Sequence, residues 1–230
     1  MITINDIVAL LLTLAWGSGV TFIGIALKRF NHEFARKFIH LFLGFYVFFI
    51  KIMDHIILEF IPIIGVLVLM LLVRKDSPFK ILQMTYETLG RAGEKNSGIL
   101  FGPVSYECAI LILVGAVIIL EIVGFYGMKF FPAVATSLSI LFVGDGMAAF
   151  AQHFNHKVKK TNVGSLFMFA GSIVGASISL WILGSLNVSF FFAALLASVL
   201  GTIVERISGK YDNLTVPLVS IMPLLLVSII

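Results

Sequence analysis

The stretch 143–165, VGDGMAAFAQHFNHKVKKTNVGS, begins inside an apolar run and ends among lysines. It places Asp145 between Gly144 and Gly146, then Lys157, Lys159 and Lys160, then Gly164 and Ser165. One reading is a helix end followed by an ordinary basic membrane loop. The other is a phosphate and metal site at the membrane surface. The surrounding chain bears on both.

With 60% hydrophobic residues, 12% charged residues and a mean hydropathy of +1.09, the composition excludes an ordinary water-soluble domain, which carries about 25% charged residues. A bilayer-spanning helix needs roughly 20 mostly apolar residues. Lipid offers the backbone no hydrogen bonds, so spans are helices or closed barrels. The apolar runs here are continuous rather than alternating, which points to helices. The expected fold is an all-α polytopic membrane protein with about eight spans (seven to nine), forming a single transmembrane catalytic domain over 1–230. Any site must then be built from helix ends and short loops.

The spans expected from hydropathy are 6–27, 38–51, 56–73, 98–120, 128–151, 164–184, 188–205 and 214–230. The first lacks a basic prelude and a small-residue cleavage site, so it reads as a retained helix. With the N-terminus outside, Lys28, Arg29, Arg36 and Lys37 fall inside, as do Arg74, Lys75, Lys80, Arg91 and Lys95. Lys157, Lys159, Lys160, Arg206 and Lys210 fall inside too, which leaves only Lys51 and Lys129 outside. This is a positive-inside distribution. It accounts for the net charge of +4 without nucleic-acid binding. The longest inside loop is expected to carry an interfacial helix with Ile81, Leu82, Met84, Thr85 and Leu89 on one face. A lone Cys108 excludes an internal disulfide and a cysteine metal cluster.

Asp145 lies about two turns from the inner end of its span, where an ionisable residue costs about 2.5–3.5 kcal/mol on insertion scales and usually marks function. Its flanking glycines let the backbone bend or approach a ligand. Lys159 and Lys160 precede a helix start at Gly164–Ser165, and helix N-termini attract anions. A carboxylate, lysines and a helix N-terminus are the parts that hold a magnesium-bound polyphosphate. On the same predicted face lie Glu205, at the end of a span, and Asp212–Asn213, at the start of the next. A solvated terminus would account for Glu205, and an N-cap for Asp212 or Asn213. Arg36 and His40, four residues apart, share a helical face entering the second span. Glu107 at membrane depth is expected to face a cavity, and Glu59 and Glu121 to sit near the outer interface.

At RKFIH (36–40), GDGMAA (144–149), KTNVGS (160–165), VE (204–205) and DNLTVPL (212–218), the chain resembles the dolichol kinase and phytol kinase family. The order and approximate spacing of these pieces are similar, and together they span most of the chain. It departs from the family pattern at Gln152, His156, Val163 and Tyr211. The resemblance implies transfer of the γ-phosphoryl group of CTP to a long isoprenoid alcohol at the cytoplasmic face, with Mg²⁺. It implies catalytic roles for Asp145, Asp212, Glu205 and His40, with Asp145 and Asp212 on the metal. Gly144, Gly146, Lys159, Lys160, Gly164, Ser165 and Asn213 would hold nucleotide, and Arg36 and His40 would position the alcohol. Two rivals share parts of this pattern. A CTP-dependent lipid-phosphate cytidylyltransferase needs the same cradle, and a membrane transporter uses buried charges for ion coupling. Inverted repeats would favour the transporter, and none is visible.

Overall fold

The computed structural model describes residues 2–90, 98, 100–154 and 161–229, with backbone only for 152–154. Its helices are α1 (Ile4–Leu27), α2 (His32–Leu43), α3 (Phe60–Leu72), α4 (Lys80–Leu89) and α5 (Phe101–Ile122). They continue with α6 (Phe131–Phe154), α7 (Asn162–Ile182), α8 (Val188–Ser208) and α9 (Asp212–Ile229). Short 3-10 segments, Gly44–Ile52, Ile56–Glu59, Gly127–Phe130 and Gly209–Tyr211, fill joints between them. No strand occurs among the described residues.

Five stretches are long and apolar enough to cross a bilayer: Ile4–Leu27, Phe101–Ile122, Gly127–Ala151, Asn162–Ile182 and Val188–Ile229. The last, 42 residues long, contains both α8 and α9. The chain is therefore an all-helical, multi-span membrane protein. The expected spans at 38–51 and 56–73 do not form full-length helices. α2 ends at Leu43 and the chain continues as a nine-residue 3-10 segment. Its aromatic and β-branched run, GFYVFFIKI, loses side-chain freedom in an α-helix. α3 has 13 residues, which reach about 20 Å at 1.5 Å per residue, short of the ~30 Å hydrocarbon layer.

The chain divides into two compact units, Met1–Leu111 and Ile112–Ile230, with the boundary inside α5. In the first, α1 starts with a capping box in which Thr3 and Asp6 exchange hydrogen bonds. The fully buried Asp6 carboxylate also accepts from the Asp54 and His55 backbone N–H groups and lies 2.8 Å from His55 Nδ1. These bonds tie the 53–55 turn to the start of α1. Val20, Ile39, Met70, Val73, Tyr86, Leu89 and Leu100 form the core. Trp16 is held over it by a bond from Nε1 to the Phe42 carbonyl. The expected interfacial helix exists as α4, but its inward side is Thr85, Tyr86, Thr88 and Leu89, while Ile81 and Met84 are exposed. Docking of Tyr86 and Leu89 into the core fixes the helix rotation.

In the second unit α6 is the most buried of the candidate spans and packs against α7, α8 and α9. α8 shows why these helices pack as they do. Its exposed stripe is Val188, Phe192, Leu196, Val199, Ile203 and Ile207, at helical spacing. Its buried stripe is Phe190, Ala194, Ala197, Gly201 and Glu205. Bulky apolar groups point outward and small ones inward, the reverse of a soluble helix. In lipid, apolar area does not drive helices together, so close approach through small residues does. Gly201 meets Ser220 of α9 in this way, and a Cβ there would lie 2.7 Å from the serine hydroxyl.

Candidate metal centre

Asp145 sits within α6, which stays helical through Gly144 and Gly146, both buried. The helix partner explains the first glycine. A Cβ on Gly144 would collide with Ser172 Oγ and come within 2.8 Å of Met168 Sδ, both on α7. α7 reciprocates: a Cβ on Gly171 would strike Met147, and one on Gly175 would strike the Ser139 carbonyl and Val143. Gly144 is thus an interhelical contact rather than a bend or a backbone approach to a ligand.

Glu205 and Asp212 are brought together by the α8–α9 joint. α8 ends at Gly209 with φ +60° and ψ −115°, a conformation open to glycine and costly for L side chains. One 3-10 turn follows and α9 begins at Asp212. Thr215 Oγ1 lies 2.8 Å from Ser208 Oγ and 3.0 Å from the Tyr211 carbonyl, stitching the joint. Pro217 has no N–H for the carbonyl four residues back, a feature that bends a helix within its first turns.

The outcome is a convergence of three carboxylates from three helices. Asp145, Glu205 and Asp212 are 6%, 4% and 4% exposed. Each offers an oxygen within 4.8 Å of the others. Two unit charges at that distance repel by about 3 kcal/mol at an effective dielectric of about 20, so a cation at the centre offsets a large cost. The donors are all oxygen, which suits magnesium, calcium or manganese over softer metals. In an octahedral magnesium site opposite oxygens stand about 4.2 Å apart, twice the ~2.1 Å bond length. The observed spread is of that order and needs only slight closing or an intervening water. The residues fit a hard divalent cation.

The remaining expected residues fall into four groups. Asn213 is 3% exposed, and its N–H donates to Asp212 Oδ1 at 2.9 Å. Asp212 thus starts its helix from a buried position, unlike a solvated N-cap. Glu205 is likewise not a solvated terminus. Gly164 and Ser165 lie in the first turn of α7, but their donors are engaged locally. Thr161 caps the helix, accepting from Gly164 N at 3.0 Å, and its carbonyl accepts from Ser165 N at 3.0 Å and from the Ser165 hydroxyl. The expectation that these two supply open helix-terminal donors is corrected by that cap. Lys157, Lys159, Lys160 and His156 lie outside the described residues, as does the Gln152 side chain. Arg36 and His40 belong to the first unit, where Arg36 pairs with Glu33 at 2.8 Å and the His40 ring lies 4.9 Å from that of Tyr106.

Sequence reasoning missed Thr161, Gly209 and the packing of Gly144 against Ser172 and Met168. Thr161 was legible as the Thr-x-x-Gly start of α7. Gly209 was legible as a glycine closing one helix three residues before the next. Glu59 is fully buried within the protein. Glu121, partly buried, accepts from the Met128 N–H at 2.9 Å and so closes the turn after α5. Asn187, the start of an Asn-Val-Ser sequence, serves as the N-cap of α8. No protein-family model, curated protein or solved structure matches the chain.

Proposed function

We propose that the protein is a membrane lipid kinase that transfers the γ-phosphoryl group of CTP to the hydroxyl of a long-chain isoprenoid alcohol. The single observation that carries this reading is the convergence of Asp145, Glu205 and Asp212. Three separate pieces of the resembling pattern, one of them at least 60 residues before the other two, supply one oxygen-only site. Asp145 and Asp212 hold the magnesium, and Glu205 completes its shell or orients the nucleotide. A bound magnesium neutralises the triphosphate and steadies the charge that builds during transfer.

The alcohol oxygen bonds to the γ-phosphorus while the bond from that phosphorus to the β,γ-bridging oxygen breaks. The products are a lipid monophosphate and CDP, and the hydroxyl proton is released. Lys159 and Lys160 are assigned to phosphate oxygens, and Gly146 and Asn213 to the nucleotide cradle, on the strength of the resemblance. Arg36 and His40 position the alcohol on the same ground; structural support for the site itself is confined to the second unit. The placement of the N-terminus outside and of the site on the cytoplasmic face is supported by the distribution of lysine and arginine.

The test uses purified protein in liposomes with an isoprenoid alcohol, Mg²⁺ and CTP labelled separately at the α- and γ-phosphorus. Label from the γ-position on a lipid monophosphate, with release of CDP, is the expected result. Label from the α-position alone, with a lipid phosphate as the required acceptor and pyrophosphate released, would instead establish a cytidylyltransferase. The two chemistries share the metal cradle and differ in which phosphorus lies in line with the acceptor.

A further inference from the structure

The first unit contains a second group of buried carboxylates that the phosphoryl-transfer reading does not use. Glu59, where the Ile56–Glu59 turn meets α3, is 0% exposed, and Glu107 on α5 is 1% exposed. Tyr46 and Tyr106 beside them are 3% and 4% exposed. Tyr46 donates its hydroxyl to Glu107 Oε1 at 3.2 Å. The charge of Glu107 bears on Glu59, Tyr46 and Tyr106, and that of Glu59 bears on Tyr46, so the four form one electrostatic cluster.

Both carboxylate oxygens of Glu59 and the hydroxyl of Tyr106 are buried without a hydrogen-bond partner among the described residues. Burying a polar group unsatisfied costs roughly 1–3 kcal/mol, and more for a charged one. An ionised carboxylate without a partner costs several kcal/mol. Two such groups in an apolar helical unit require positive charge. The other titratable groups around the pair are Cys108 and, against the Tyr106 ring, His40.

We propose that Glu59 and Glu107, with the Tyr46 and Tyr106 hydroxyls, form a buried site for one monovalent positive charge, sodium or a proton. The oxygen donors suit a hard ion. Magnesium usually keeps several waters and calcium takes six to eight oxygens, whereas these four side chains are almost wholly enclosed and reach six only if the oxygens joined in the Tyr46–Glu107 hydrogen bond are counted as well. A sodium ion here would satisfy the Glu59 oxygens, which otherwise lack partners, with the Tyr106 hydroxyl as a further oxygen donor. A proton shared by the carboxylates removes one of the two charges. The site is independent of the reading given to Asp145, Glu205 and Asp212.

The experiment measures thermal unfolding of the purified wild-type protein and of Glu59→Gln. Sodium, potassium and choline chlorides are compared at equal ionic strength from pH 6 to 9, in magnesium-free buffer. Glutamine keeps the shape and removes the charge. Bound sodium is expected to raise the wild-type Tm by several degrees over choline, through preferential binding to the folded state, and Glu59→Gln should lose that rise. A bound proton is expected to make wild-type stability fall with rising pH relative to Glu59→Gln, whatever the salt. Tyr106→Phe should weaken a sodium response and leave a proton response largely in place. A wild-type to Glu59→Gln difference that is constant across salts and pH overturns the proposal. If Glu59→Gln does not fold, Glu107→Gln takes its place with the same expected and overturning results.

Discussion

The carboxylates of the two units are buried to the same degree, yet their surroundings differ. In the second unit three of them, from the middle of α6, the last turn of α8 and the start of α9, offer oxygens within 4.8 Å of one another. In the first unit two of them sit among tyrosines, and only one is hydrogen-bonded to a phenol. Burial alone therefore says little about the occupant. The number of carboxylates and the hardness of their companions set the charge that each site demands: a divalent ion for three carboxylates, a single charge for two with phenols. The scaffolds differ as well. In the second unit glycines facing neighbouring helices recur, at Gly144, Gly171, Gly175 and Gly201; the first unit has such a contact at Gly24 against Ile39, while its Gly19 and Gly65 have nothing near them.

The largest expected effect breaks the three-carboxylate site directly. Asp145→Asn should reduce magnesium-dependent turnover by about 100-fold or more, on the scale of lost metal-site interactions. In magnesium-free buffer the same change should leave the protein as stable as wild type or more so, because one of three clustered charges is gone. The checks are turnover and Tm with and without Mg²⁺. An Asp145→Asn protein that keeps wild-type turnover, or that loses stability equally with and without magnesium, would remove Asp145 from the metal.

The next effect tests the scaffold contrast. Gly144→Ala should destabilise by about 1–3 kcal/mol, as overpacking does, because the new methyl meets Ser172 and Met168. Gly65→Ala in α3 has open space and should be neutral or stabilising by up to about 1 kcal/mol through helix propensity. Equal effects of the two substitutions in denaturation experiments would contradict the close α6–α7 contact.

A smaller effect concerns the joint between α8 and α9. Gly209→Ala has room for its methyl but must hold φ near +60°, which costs about 1–2 kcal/mol. Because the joint aligns Glu205 with Asp212, magnesium-induced stabilisation should weaken by more than the change in metal-free stability. A Gly209→Ala protein with an unchanged magnesium response would show that the hairpin turn does not position the carboxylates.

The sequence by itself determined the class of the protein. Continuous apolar runs with few charges permit only membrane-crossing helices, because lipid leaves the backbone to satisfy itself. It also singled out Asp145, Glu205 and Asp212, since ionisable residues stand out against an apolar background. Tertiary structure decided what lies beside them. Whether Asp212 is a solvated cap or a buried ligand depends on a glycine-shaped turn and on the rotation of α8, whose small face carries Glu205 inward. Whether Gly144 serves a ligand or a helix depends on α7, which places Met168 and Ser172 against it. The shortness of α2 and α3 also escaped hydropathy, which counts apolar residues and does not register where a helix tightens into a 3-10 turn. The Glu59–Glu107 group was invisible as a group for the same reason: its members are 48 positions apart in sequence, and only packing within the first unit brings their charges within reach of one another.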